Sequence, residues 1–267
     1  MRNCLILGSG RSGTSMVAGT LAAAGYYMGE TMMPPTDANP KGYFESREVE
    51  DINEGLIRSM LTPVWWERRL RLIKPPPQQP NFADGPHWGR SRWLASIPPW
   101  RRPQPKPRFI EGIQEMVAHQ PYCFKDPRFA YTLYSWRPYL KDTVFICVFR
   151  DPAVTATSIL KEVERAEYLA GVTLSFEQAL LMWTYVYQHI LKHHSREGQW
   201  LFLHYEQVLT PAGLDQIAAL TEADIDRAFP ETGLRRTQSD HTVPAETTKV
   251  YQQLCALADY RLPETAS

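Results

Sequence analysis

Three short runs along the chain are continuously apolar instead of alternating: Asn3–Leu7, Thr143–Phe149 and Trp200–Leu203, with Tyr122–Lys125 a weaker fourth. A strand covered on both faces has no polar side to show, so such runs predict buried parallel strands. Each is followed by turn or cap chemistry and then by helical periodicity. Thr14–Ala24 follows the first run. After Phe149 and Arg150 come Asp151, a good N-cap, and Pro152, suited to a first helical position. Ser175 and Gln178 have capping-box spacing, ahead of a stripe at Phe176, Leu180, Trp183, Tyr187 and Leu191. Thr221–Phe229 and Pro244–Ala258 read as later helices. Strands alternating with helices predict an α/β fold of three layers around a mainly parallel sheet.

One stretch breaks the alternation. Thr62 to Arg108 holds eleven of the 22 prolines, five of the eight tryptophans, and ten Lys or Arg residues against only Glu67 and Asp84. Proline density excludes long helices and central strands there. Trp65, Trp66, Trp88, Trp93 and Trp100 are costly to leave in water. The expectation is one domain over 1–267 with a basic Pro/Trp-rich insertion at 62–108 that folds onto the core and helps build a binding site.

Composition narrows the function classes. The chain has 267 residues, with 29 basic and 29 acidic ones, so its formal net charge is zero and a general nucleic-acid coat is not expected. No apolar run approaches the roughly 20 residues of a membrane helix. The run Cys4–Leu7 ends in the glycine-rich stretch Gly8–Gly13 instead of a cleavage site, so no signal peptide is expected. Cys4, Cys123, Cys147 and Cys255 are far apart and form no CxxC pair. They read as free thiols, and the expected location is cytoplasmic.

The most informative segment is Gly8-Ser9-Gly10-Arg11-Ser12-Gly13-Thr14-Ser15, between the first strand and its helix. Such a unit aims several backbone N–H groups at one spot on the positive end of a helix dipole, which makes an anion cradle. A tight turn would also use glycine, but not three glycines, an arginine and four hydroxyl residues in that context. The spacing Gly8-x4-Gly13 matches a nucleotide phosphate loop. An NTPase places lysine next, followed by Ser or Thr; here Thr14 stands at that position and Arg11 supplies the cation.

The stretch Arg11-Ser12-Gly13-Thr14-Ser15 resembles the 5′-phosphosulfate loop of the sulfotransferases that use 3′-phosphoadenosine 5′-phosphosulfate (PAPS). Arg150 at a strand end, with Ser158 eight positions later, is similar to that family's 3′-phosphate motif. The spacing suits it: ligands of open α/β sheets bind at the strands' C-terminal ends, and an arginine there and a serine on the next helix can reach one phosphate. Phe124-Lys125-Asp126-Pro127-Arg128 resembles the Lys-Asp-Pro stretch of tyrosylprotein sulfotransferases and bacterial relatives. Leu203-His204-Tyr205-Glu206-Gln207 is a weaker match to a Tyr-Glu element. The Lys-Thr-His element and the C-terminal glycine-rich basic motif of the small-molecule enzymes are missing. Arg235 and Arg236 are the candidates to take over the second of these.

The resemblance implies transfer of a sulfuryl group from PAPS, with PAP as product and no metal. Gly10, Arg11, Ser12, Gly13, Thr14, Ser15, Arg150, Ser158, Arg235 and Arg236 are the implied donor-binding residues. Lys125 and Arg11 would stabilise the transferring charge, and a carboxylate would take the acceptor's proton. Glu45, closing Asn39-Pro40-Lys41-Gly42-Tyr43-Phe44-Glu45, ranks first as that base and Glu30 second, with His119 and His204 minor candidates. The acceptor is expected to be a hydroxyl of a small molecule, sugar or lipid. The alternatives are a P-loop kinase or NTPase and a non-catalytic nucleotide-binding relative. The sequence carries no signal for oligomeric state.

Overall fold

In the computed structural model, which describes residues 1–35, 41–61, 90–230 and 237–261, the four apolar runs are the strands of one parallel sheet. The elements in chain order are β1 (Asn3–Leu7), α1 (Thr14–Ala22), α2 (Arg47–Leu61), α3 (Pro107–Ala118), β2 (Cys123–Lys125), α4 (Phe129–Trp136), β3 (Thr143–Phe149), α5 (Pro152–Arg165), α6 (Phe176–His189), β4 (Gln199–His204), α7 (Tyr205–Val208), α8 (Pro211–Thr221) and α9 (Ala245–Leu257). The strand order is β2-β1-β3-β4.

Alternate residues of each strand point to opposite faces. Leu5 and Leu7 of β1 join one core with Phe124, Phe145, Phe149 and the inner sides of α2, α4 and α6. Cys4 and Ile6 join a second core with Val144, Ile146, Val148, α1 and α8. Two apolar cores on the two faces of one sheet make the three layers. Cys4, Cys123, Cys147 and Cys255 are free and buried.

Local chemistry explains most boundaries. Asp151 caps α5 by accepting from the Val154 N–H at 2.9 Å, with Pro152 in the first turn. The Ser175–Gln178 capping box opens α6. One expected helix is misplaced. Residues 223–230 are not helical, because α8 starts earlier, capped by Thr210 with Pro211 behind it, and stops where Glu222 turns left-handed at φ 53°. The chain then crosses α1: the Asp226 N–H bonds the Thr20 carbonyl at 2.9 Å and the Phe229 ring lies against Gly19. These contacts replace a helix of its own.

The connection from β1 runs to β2 on one side, and that from β3 runs to β4 on the other. The switch point of the sheet is therefore between the C-terminal ends of β1 and β3, where open α/β sheets form their ligand crevice. Residues 62–89 of the expected insertion lie outside the described residues. In its described remainder Trp93, Leu94 and Ile97 are buried in the first core and Trp100 is exposed. No helix among the described residues is long and apolar enough to cross a membrane.

Candidate active site

The glycine loop turns sharply out of β1. Gly8 has φ +145°, and a Cβ there would stand 2.2 Å from the Val148 carbonyl on β3. Gly13 has φ +95°, and a Cβ would stand 2.6 Å from the Tyr205 ring. Both positions need glycine for conformation and for space. Arg11 takes a left-handed φ of 67° without that freedom, a strained conformation of the kind found at ligand clamps. The loop is fixed from behind by the Tyr187 hydroxyl. It contacts the Val148 carbonyl at 2.8 Å and Ser12 Oγ at 3.1 Å, and accepts from the Ser9 N–H at 3.1 Å. Helix α1 starts at Thr14 with no acid in its first turn, so its positive end is not neutralised by its own side chains.

This end of α1 opens on a cavity of about 200 Å³ at the switch point. Gly10, Arg11, Gly13, Thr14, Ser15, Glu45, Lys125, Arg150 and Ser158 all line it. These nine expected site residues come from four separate stretches of chain. Ser12 stands behind the wall, buried against Tyr187. Glu30 is exposed beside Tyr27 and does not line the cavity. Arg235 and Arg236 lie outside the described residues, although Thr237 beside them lines the cavity.

The contacts of Lys125, Arg11 and Arg150 define the chemistry. Lys125, at the end of β2, forms an ion pair with Glu45; its side chain is 3 % exposed. The adjacent Asp126 belongs instead to Arg128, which donates to it from its backbone N–H at 2.7 Å and from Nη1 at 3.1 Å. Arg11 Nε donates to Ser158 Oγ at 3.3 Å, and its Nη1 lies 3.5 Å from Glu162 Oε2. The Tyr43 hydroxyl donates to Glu162 Oε1 at 3.0 Å. Arg150 lies over the Tyr205 ring, 4.5 Å from its centroid, and donates to the Thr237 carbonyl at 3.4 Å. His204 is a cap of α7, accepting at Nδ1 from the Glu206 N–H, and His119 stacks on Tyr27. Neither lines the cavity.

Trp93, from the insertion expected to fold onto the core and help build the site, lines it, and several other lining residues had no expected role. Trp93 covers the loop so closely that a Cβ on Gly10 would stand 2.5 Å from its ring. Lys41 reaches the Phe229 carbonyl at 2.6 Å. Glu162 lies one helical turn beyond Ser158, a spacing that could have flagged it. Glu50 lines the cavity from α2, and burial pushes its carboxyl up to about 7, assisted by Glu45, Asp126 and Glu54 and opposed by Arg128. The sequence carried no signal for it: only the fold buries Glu50, Asn53 and Glu54 beside the apolar stripe of α2. Burial first, then Glu162, Tyr43 and Glu45, hold the Tyr168 phenol well above its usual range.

Residues 4–213 match the family described as the sulfotransferase family. No curated protein matches the sequence. Among solved structures, the sulfotransferase domain from the Synechococcus PCC 7002 olefin synthase is similar, with a TM-score of 0.51 and 15 % identity, over 98 % of this chain and 95 % of that one. A sulfotransferase from Alicyclobacillus acidocaldarius gives a TM-score of 0.49 and 11 % identity, over 98 % and 97 % of the two chains.

Proposed function

Since the chain belongs to the sulfotransferase family, we propose that it moves a sulfuryl group from PAPS to a hydroxyl of a small-molecule, sugar or lipid acceptor. The observation that carries this reading is the convergence on one cavity of the glycine loop, Lys125 and Arg150, from the ends of β1, β2 and β3. The residues suit the donor. Gly8, Gly10 and Gly13, where a Cβ would collide with Val148, Trp93 and Tyr205, let the loop pack tightly at the start of α1, whose positive end carries no competing acid.

When bound, PAPS supplies a sulfuryl group on a phosphate leaving group. Transfer resembles phosphoryl transfer in its demands: in-line attack, a loose transition state, and charge building on the bridging oxygen. Arg11 and the N–H groups at the start of α1 hold the 5′-phosphate. Arg150 and Ser158 hold the 3′-phosphate. Lys125 neutralises the bridging oxygen as the sulfur–oxygen bond to the phosphate breaks. Glu45 takes the acceptor's hydroxyl proton as the new sulfur–oxygen bond forms. Lys125 and Glu45 bind each other. The pair sets the proposed charge stabiliser and the proposed base side by side in the cavity wall. Binding of donor and acceptor separates the pair.

The test is binding followed by transfer. PAP should raise the melting temperature by mass action and MgATP should do so much less. Labelled PAPS should then give a labelled product with a hydroxyl acceptor. A larger shift with MgATP would favour a phosphotransferase, and PAP binding with no turnover on any hydroxyl panel would favour a non-catalytic relative.

A further inference from the structure

Among the described residues, the cavity wall carries the cations Arg11, Lys41, Arg90, Lys125 and Arg150. Four of them are engaged by the protein itself. Arg11 bonds Ser158 and faces Glu162, and Lys41 reaches the Phe229 carbonyl. Lys125 pairs with Glu45, and Arg150 lies over Tyr205 and bonds the Thr237 carbonyl. Arg90 differs. Its guanidinium makes no hydrogen bond or ion pair with a described residue. The residue is half-buried. Its nitrogens are not among the buried polar atoms that lack a partner, so they keep accessible surface.

The backbone under this side chain is fixed. The Arg90 carbonyl accepts from Arg128 Nη2 at 2.7 Å. Two residues on, Arg92 donates to Glu54 from its backbone N–H at 3.0 Å and from Nη1 at 2.9 Å. Arg128 also holds Asp126, the neighbour of Lys125. Arg90 is therefore tied to the stretch that carries Lys125, whereas the donor's phosphates are assigned to the glycine loop, Arg11 and Arg150. The acids of the wall and of the network beneath it are matched by other cations: Glu45 by Lys125, Glu50 and Asp126 by Arg128, Glu54 by Arg92 and Arg128, and Glu162 by Arg11. An arginine keeps its charge at any ordinary pH, and its planar fork matches a carboxylate at two points. A neutral amide or hydroxyl would satisfy the N–H groups but not the charge; a carboxylate satisfies both.

We infer that Arg90 is a recognition residue for the acceptor, and that the acceptor carries a carboxylate bound by the Arg90 guanidinium. That a hydroxyl elsewhere on the acceptor receives the sulfuryl group rests on the function proposed above; the carboxylate site itself does not.

The experiment uses matched probes. The full chain, with and without saturating PAP, is titrated with 4-hydroxyphenylacetate against 4-hydroxyphenylacetamide and with glucuronate against glucuronamide, at neutral pH. In at least one pair the carboxylate should bind about tenfold or more tightly than its amide, the scale of a charge-assisted contact. Arg90→Gln, which keeps the backbone carbonyl that Arg128 uses, should lose that preference, and Arg90→Lys, which keeps the charge, should retain part of it. In the wild type the preference should also shrink as salt is raised, a readout independent of any variant's folding. If no carboxylate outbinds its amide, or if the preference survives in Arg90→Gln, the inference is overturned. It is overturned as well if Arg90→Gln weakens PAPS much more than PAP, because Arg90 then holds the sulfuryl group. If PAP fails to bind while the carboxylate preference holds, the donor reading fails and the Arg90 site stands.

Discussion

Arg11 reaches back from the glycine loop to Glu162, Nη1 to Oε2 at 3.5 Å, so a carboxylate faces the cation assigned to the donor's 5′-phosphate. Glu162 is buried and held by the Tyr43 hydroxyl. An anion arriving at Arg11 must compete with it and also meets its field. Glu162→Gln keeps an acceptor for Tyr43 and removes the charge. It should tighten PAP binding about three- to tenfold, the scale of one nearby charge at a partly screened site. Calorimetry at two salt concentrations checks this. Weaker binding would mean that Glu162 orients Arg11 instead of competing for it.

The Lys125–Glu45 pair predicts a separation of stability from activity. Removing either partner leaves a mostly buried charge alone, so Lys125→Met or Glu45→Gln should each cost on the order of 3 kcal/mol. The double variant should cost much less than the sum of the two. Turnover should instead fall by about 10²-fold or more in every variant, since each lacks a charge stabiliser or a base. Chemical denaturation and single-turnover transfer measure the two quantities. A double variant that regains activity would remove both residues from the chemistry.

The strands were legible because burial on both faces writes itself as apolar runs: Asn3–Leu7 and Thr143–Phe149 hold to the residue. The glycine loop was legible because its backbone demands glycine at Gly8 and Gly13. Residues that reach the site through tertiary contact left weaker traces. Trp93 sits in a proline-rich stretch without periodicity, and its place over Gly10 depends on the core beneath it. Glu50 looks like one more charge on an acidic helix until the fold buries it against Arg128. Residues 222–229 have helical composition, but their backbone and Phe229 are claimed by α1.

Glu50 also predicts how stability depends on pH. Its folded carboxyl is raised from 4.5 to about 7, chiefly by burial. Between those values the folded state holds a proton that the unfolded state has released, so its contribution to stability falls as pH rises through the window. Glu50→Gln should therefore match wild type near pH 5 and exceed it at pH 8, by up to about 3 kcal/mol for a shift of that size. Denaturation curves at the two pH values test this. A variant less stable than wild type at pH 8 would mean that ionised Glu50 is well compensated by Arg128.

Arg150 should decide whether the protein distinguishes a 3′-phosphorylated nucleotide from its plain counterpart. PAP and AMP share the adenosine and the 5′-phosphate, so preference must come from a site that only the 3′-phosphate fills. Arg150 ends β3 at the switch point and lines the cavity with Ser158. Its guanidinium is set over Tyr205 and bonded to the Thr237 carbonyl, which fixes a planar fork suited to phosphate. Ser158 already bonds Arg11 through Oγ, so on the proposed reading it would add a single neutral bond to the phosphate. A charge-assisted contact contributes roughly 1.5–3 kcal/mol and a neutral one about 1. Arg150→Ala should thus weaken PAP by about ten- to a hundredfold, and Ser158→Ala by less than about tenfold. AMP, which never used the contact, should bind both variants almost as it binds wild type. It also serves as the control for any disturbance of Tyr205. If Arg150→Ala weakens PAP and AMP by the same factor, Arg150 supports the fold or the shared part of the nucleotide, and the 3′-phosphate is read elsewhere.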